Sequence, residues 1–366
     1  MKKVFFIISI LFFTQQYKSF SQVDSLNSKT IVNDVTTLNP VFVNKIYTAT
    51  NTNELAEVVK NHSGKISIGG GKFSMGGQTS YENSLHIDMS KLDSILAFSQ
   101  EKKEITVQTG ITWRKLQEFI DPHNLSVSIM QTYANFTVGG SLGVNVHGRY
   151  IGKGPIILSV KNIKILLADG TIVKASPTEN SNIFYGAIGG YGSLGIIIEA
   201  TLILADNVKV EEIDTVFSIK NYTEYFTQHV RNDSNTIFHN GDIYPNKYKH
   251  VRAVSYTKTN KEVTEKQRLR PIKSKYKFNQ IAIKIISDFP TGKWMREHII
   301  EPCLYKKEKV FWRNYEASHD VLELEPKSRK KYTYVLQEYF VPVAEFDEVT
   351  VDDPAPIVIV VCDCDL

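Results

Sequence analysis

Residues 135–148 read Asn-Phe-Thr-Val-Gly-Gly-Ser-Leu-Gly-Val-Asn-Val-His-Gly, and the fold turns on how this stretch is read. Three glycines and a His-Gly pair fall in a segment with no proline and no permanent charge. Glycine at this density reads as neither an ordinary core strand nor an ordinary helix. It lets the backbone take positive φ and lets a ligand come close to the N–H groups. Successive N–H groups facing one concavity form an anion-binding nest. A second glycine loop lies upstream, Ile68-Gly69-Gly70-Gly71-Lys72-Phe73-Ser74-Met75-Gly76-Gly77-Gln78. A third lies downstream, Gly189-Gly190-Tyr191-Gly192-Ser193-Leu194-Gly195. Three such loops in one region point to a large ligand with a phosphate-rich middle.

The segments between the loops read as strands and short helices. Residues 45–47 are extended, and Thr52-Asn53 opens a helix whose Leu55, Val58 and Val59 recur at i, i+3 and i+4. Residues 66–68 form a short strand, and 85–89 and 104–108 alternate as half-buried strands do. Residues 113–120 make an amphipathic helix stopped by Asp121-Pro122. Downstream, strands at 160–167 and 172–174 flank the hairpin signal Asp169-Gly170, and 195–204 is a further strand. Without a clean βαβ repeat, this pattern is α+β. After about Asn207 glycine almost vanishes and aromatic and charged residues multiply. We read a second domain beginning with a strand at 208–216, a basic exposed loop at 266–277, a partly helical stretch at 281–305 and a strand at 332–343. Residues 349–366 end the chain in an apolar run and a Cys-x-Cys tail.

Composition excludes several classes. The 366 residues are 42% hydrophobic and 22% charged, as in a soluble globular chain. The formal charge is +4, but Lys2, Lys3 and Lys18 sit in an acid-free opening segment. The remainder is nearly neutral, so no nucleic-acid partner is expected. Residues 1–21 read as a signal peptide: Lys2 and Lys3, an apolar run at 4–13, then Ser19-Phe20-Ser21 before Gln22. That predicts an exported protein, periplasmic or secreted. Cys303, Cys362 and Cys364 are too few for a disulfide scaffold. The histidines show no metal-ligand spacing, so no metal is expected. No Gly-x-x-x-x-Gly-Lys-Ser/Thr loop exists, nor a Gly-x-Gly-x-x-Gly set between strand and helix as in NAD-binding chains.

Taken together, the loops resemble the FAD-linked oxidases of the vanillyl-alcohol oxidase superfamily, the PCMH-type fold. Gly70 to Gln78 looks like the pyrophosphate loop, and Thr137-Val138-Gly139-Gly140 with His147-Gly148 looks like the second flavin loop. Leu167-Ala168-Asp169-Gly170 and the 189–195 loop, running on into Ile196, match later landmarks in order. The alditol, aldonolactone and decaprenylphosphoryl-ribose oxidase branch is the most similar. The resemblance implies a PCMH-type FAD-binding domain over 41–205 and a cap domain over 206–348. It implies oxidation of a C–OH group of a sugar, alditol, aldonolactone or polyprenyl-phosphate sugar, with FAD as hydride acceptor.

By the same resemblance, the cofactor contacts are Gly69, Gly70, Gly71, Lys72, Phe73, Ser74, Gly76, Gly77, Gln78, Thr137, Val138, Gly139, Gly140, Ser141, Gly143, Asn145, Gly148, Gly190, Gly192, Gly195 and Ile197. His147 is the candidate catalytic residue, beside the flavin ring or alternatively a core histidine. Phe73 stands where many relatives carry the histidine bonded to flavin, so FAD should be noncovalent. Gln337 and Glu338, on the expected cap strand, either face the active site or face solvent. The cations Lys266, Arg268, Arg270, Lys273, Lys275 and Lys277 form a solvated loop or a weak membrane-surface contact. Relatives have a longer cap, so the chain also reads as a truncated member that binds FAD without turnover.

Overall fold

The computed structural model describes residues 30–244, 248–273, 276–326, 328–329, 333–336, 338 and 346. The expected signal peptide, Lys275, Gln337 and the 349–366 tail lie outside them. Among the described residues no helix is long and apolar enough to cross a membrane.

Three sheets carry the architecture. The first is parallel: Leu85–Asp88 lies between Lys45–Thr48 and Ile66–Gly69. The helix Thr52–Lys60 covers it with Leu55 and Val59, which pack in one cluster with Leu85, Ile87 and Met89. Its cap is Asn51, one residue before the expected pair, whose side chain accepts from the Asn53 and Glu54 N–H groups. The expected alternation at 85–89 is also corrected. Leu85, His86 and Ile87 are all buried, because a central strand of a parallel sheet is covered on both faces.

The second sheet is antiparallel, in the order Ile172–Ala175, Val160–Leu166, Ile196–Asp206, Glu104–Gln108, Ile95–Ser99, with Leu125–Val127 pairing the far end of Ile196–Asp206. The 160–175 hairpin forms around Asp169-Gly170, where Gly170 takes φ 85°. The helix Trp113–Ile120 buries Trp113, Leu116, Gln117 and Ile120 against this sheet.

The third sheet begins beyond Asn207 and runs Thr236–Ile243, His250–Lys258, Lys209–Ser218, Lys309–Trp312, all antiparallel. It is stitched back onto the glycine-loop region. Tyr133 bridges His319 and Tyr150 bridges Phe238. Buried Asn314 donates to Asp121 Oδ1 and to the Leu125 carbonyl. Of the strand expected over 332–343, the described residues 333–336 and 338 carry no strand. A strand needs a neighbouring edge, and here Thr333 instead donates its hydroxyl to the Thr36 carbonyl while the Leu336 N–H meets Met75 Sδ.

Residues 138–143 form a short α-helix, against the expectation that so many glycines would preclude one. Thr137 caps it by accepting from the Gly140 N–H. Val138 and Leu142 are buried in the main core. The glycine is steric in origin: a Cβ on Gly139 would lie 2.9 Å from Thr109 Cβ. Helix and strand end approach closely because no side chain separates them.

Candidate active site

The ends of these elements enclose one groove. From the first loop it is lined by Gly69, Gly70, Gly71, Lys72, Phe73, Ser74 and Gln78. From the second it takes Thr137, Gly139, Gly140, Ser141 and Gly143, and from the third region Tyr191, Gly192, Gly195 and Ile197. Three loops far apart in sequence thus meet, as expected. Among the described residues no carboxylate lines the groove. Several glycines are there because a side chain would fill the space or strike the wall. A Cβ on Gly70 would sit 2.4 Å from Thr137 Oγ1, whereas one on Gly143 would meet nothing within 4 Å. Lys72 holds φ 60°, a left-handed conformation that turns the chain sharply after the glycines.

Other expected residues stand elsewhere. Val138 is core. Gly76 and Gly77 lie beside the groove, where their N–H groups donate to Gln78 Oε1 and Asp34 Oδ2. The Asp34 carboxyl is partly desolvated, yet its bonds from Thr36, Asn39 and Gly77 hold it below the ordinary range. Asn145 is structural: its Oδ1 accepts from the Ile157 N–H at 3.2 Å. Gly190 packs on the Gly186 carbonyl, 2.2 Å from where a Cβ would be. Phe73 stacks on Phe136 with centroids 4.5 Å apart.

A second cavity of about 620 Å³ adjoins the groove. Val146 lines the groove, Gly148 lines the cavity, and His147 sits between them. His147 Nε2 lies 3.5 Å from Glu338 Oε2, and this contact, ahead of an opposing burial effect, holds the Glu338 carboxyl below its usual range. Residues 147 and 338 therefore come together, 191 positions apart in the chain. Sequence reading missed the rest of the lining. Arg149 Nη2 donates to Glu316 Oε1 at 2.7 Å and its Nη1 to Asn240 Oδ1 at 3.1 Å. Arg270 Nη2 takes the other oxygen, Glu316 Oε2, at 2.8 Å, and His319 Nε2 lies 3.3 Å from Oε1. Burial alone would raise the Glu316 carboxyl, but Arg149, His319 and Arg270 outweigh it and hold it well below the ordinary value. On the far wall His239 is bonded by Tyr222 Oη and Ser255 Oγ, both at 2.9 Å, and burial with the nearby Arg149 charge lowers it to about 4.

Of the six cations at 266–277, Arg268 and Arg270 are engaged within the chain. Arg268 pairs with Asp121 at 2.8 Å and lies over Trp312, and Arg270 serves Glu316. Among the described residues no cluster of three or more His, Cys, Asp or Glu could hold a metal ion.

Residues 44–176 match a family described as FAD binding domain. The chain is 27% identical over 188 residues to L-gulonolactone oxidase of Mus musculus, covering 50% of this chain and 42% of that protein. It is 30% identical over 120 residues to decaprenylphosphoryl-beta-D-ribose oxidase of Mycolicibacterium smegmatis, covering 32% and 26%. It is 26% identical over 148 residues to D-arabinono-1,4-lactone oxidase of Yarrowia lipolytica, covering 39% and 26%. The chain thus spans less than half the length of each of these relatives. Through this stretch the chain is similar to FAD-linked sugar-lactone and polyprenyl-ribose oxidases. The groove fits that cofactor: a glycine-lined wall and one lysine, with no carboxylate among the described lining residues, suit a doubly charged pyrophosphate.

Proposed function

We propose that this chain is an exported, FAD-dependent oxidoreductase acting on a C–OH group of a sugar, alditol, aldonolactone or polyprenyl-phosphate sugar. The observation that carries the reading is the junction at residues 146–148. One residue lines the glycine groove, the next pairs with Glu338, and the third opens into a cavity large enough for a small polar molecule. The relatives' names support the aldonolactone and polyprenyl-phosphate sugar classes, and the sugar and alditol classes rest on the sequence resemblance.

Bound in the groove, FAD would supply the hydride acceptor. The 69–78 loop would hold its pyrophosphate through backbone N–H groups and Lys72. Phe73 has no nucleophilic atom and is stacked on Phe136, which supports noncovalent attachment. In the cavity, Arg149 and Asn240 present polar atoms that orient hydroxyl groups. Glu338 anchors one nitrogen of His147, and the imidazole takes the substrate hydroxyl proton. Export rests on Lys2, Lys3 and the apolar run that follows them.

The test is the visible spectrum of purified protein before and after acid precipitation, followed by anaerobic addition of alditols and aldonolactones. The expected result is flavin released to the supernatant and bleached in the native protein by a substrate of these classes. Protein that stays colourless after incubation with FAD would sink the reading.

A further inference from the structure

The groove rests on a residue that neither the loops nor the family assignment brings forward. His86 lies at the middle of the central parallel strand and is fully buried. Its Nδ1 lies 3.0 Å from Ser67 Oγ, which in turn lies 2.7 Å from Ser84 Oγ. Its Nε2 is buried without a hydrogen-bond partner. That nitrogen is directed at the root of the first glycine loop. Ser67 pairs with His86 across the sheet, so Gly69, two residues on, shares the same face. A Cβ on Gly69 would stand 2.8 Å from His86 Nε2 and 3.6 Å from Lys72 Cε. The imidazole thus fills the place of the missing Gly69 side chain, and Lys72 reaches the same spot from the other side. Gly69 and Lys72 both line the groove.

An orphaned buried nitrogen costs free energy, so a native structure that keeps one calls for an explanation. We propose that His86 belongs to the cofactor site as a positioning residue, with Ser67 and Ser84 fixing its ring so that Nε2–H serves the diphosphate group held by the 69–72 turn, directly or through one ordered water. In this arrangement Ser67 donates to Nδ1 and accepts from Ser84, which leaves the proton on Nε2, the donor an anion needs. Burial, followed by the Lys72 charge and against a smaller pull from Asp88, lowers His86 to about 4. The ring is therefore a neutral donor at ordinary pH and adds no charge repulsion against Lys72.

The inference rests on this loop holding the cofactor's diphosphate, and the experiment separates the two. Apo-protein is titrated with FAD, ADP and riboflavin, read by flavin fluorescence and calorimetry. FAD and ADP carry the diphosphate, and riboflavin does not. His86→Asn keeps an amide near Nδ1 for Ser67 and removes the donor at Nε2. His86→Gln places an amide near Nε2. We expect His86→Asn to weaken FAD and ADP about tenfold or more, with riboflavin unchanged, and His86→Gln to recover most of the loss. Riboflavin binding and the thermal midpoint of the apo-protein report folding. Equal FAD and ADP affinities in wild type and His86→Asn would overturn the role of His86. A loss shared equally by riboflavin would do the same, because the histidine would then be only structural. Wild-type protein that binds riboflavin but neither ADP nor FAD would overturn the loop assignment and the proposal with it.

Discussion

The groove and the cavity beside it are built on opposite plans. The groove is rich in bare backbone: glycines at 69–71, 139, 140, 143, 192 and 195 line it among apolar and hydroxyl side chains, with one lysine and no carboxylate among the described lining residues. The cavity is made of side chains. Arg149, His239, Asp242, Glu316, His319, Glu323 and Glu338 face it, drawn from the glycine region, the third sheet and the segments after residue 312. Backbone donors stay uncharged whatever the pH and need only space, so the groove depends on side chains being absent. Ionised side chains need partners, so the cavity depends on every charge being matched. The two sites should therefore fail in different ways.

The largest break is at Glu316. Its side chain is 3% exposed and is shared between Arg149 and Arg270. Glu316→Gln keeps the shape and leaves two guanidinium groups facing a neutral amide. Removing one partner of a buried pair costs ~3–5 kcal/mol, and we expect a loss in that range on denaturant unfolding. FAD affinity should change little, because the polar partners of Glu316, namely Arg149, Arg270 and His319, stand outside the groove lining. If Glu316→Gln released flavin while leaving stability intact, the two plans would not be separable.

Acid should act through the same contrast. His86 and His239 are held at about 4 against an ordinary 6.5. Between those values the unfolded chain binds protons that the native chain refuses. The stabilisation is thus complete above pH 6.5 and fades as pH falls toward 4. Below that, protonation of Glu316, held low by its arginines, adds a further loss. The thermal midpoint should fall continuously across this range. His239→Gln should flatten part of the fall, since His239 lies in a buried Tyr222–Ser255 network. A midpoint constant from pH 6.5 to 4 would mean that neither imidazole is neutral in the fold.

The same division explains what the sequence disclosed. Each glycine loop is local, so its residues announce themselves by spacing, and the order of the loops was enough to place the groove. The cavity is not local. Arg149, Asn240, Glu316 and His319 are ordinary residues until the third sheet brings them together, and only the Glu316-x-x-His319 spacing hints at a contact. Two local readings failed for tertiary reasons. Residues 138–143 are helical because Thr137 caps them and Val138 and Leu142 anchor them in the core, with glycine at 139 where Thr109 leaves no room for a side chain, and 85–87 lost their alternation because the strand is central. Glu338 was found through an expected alternating strand, although its described neighbours form none; its side chain reaches His147 all the same.

At the groove, a smaller effect is expected from adding one methyl group. Gly70→Ala places a Cβ 2.4 Å from Thr137 Oγ1 and 3.3 Å from Thr137 Cβ and Cγ2. Thr137 also caps the 138–143 helix, so it cannot withdraw freely. Overpacking of this kind costs ~1–3 kcal/mol, and here it should appear as weaker FAD binding. Thr137→Ala in the same chain removes the obstacle along with the cap, so the double variant should bind better than the two single losses added together. Strict additivity would mean that the glycine serves the cofactor directly rather than through Thr137.

The smallest effect is expected where a charge pair stands outside both sites. Arg268 pairs with Asp121 at 2.8 Å, with side chains 29% and 10% exposed, and its guanidinium lies 4.3 Å from the Trp312 ring centroid. Neither residue lines the groove or the cavity. Arg268→Ala gives up a partly screened ion pair and a stacking contact, about 1 kcal/mol in all. Asp121 keeps its bonds from Asn207 and Asn314, so its carboxylate is not left bare. A loss as large as that of Glu316→Gln, measured in the same denaturant titration, would show that charge matching governs the whole contact between the third sheet and the glycine region. The cavity would then be one part of a wider interface, and its sensitivity would say nothing particular about function.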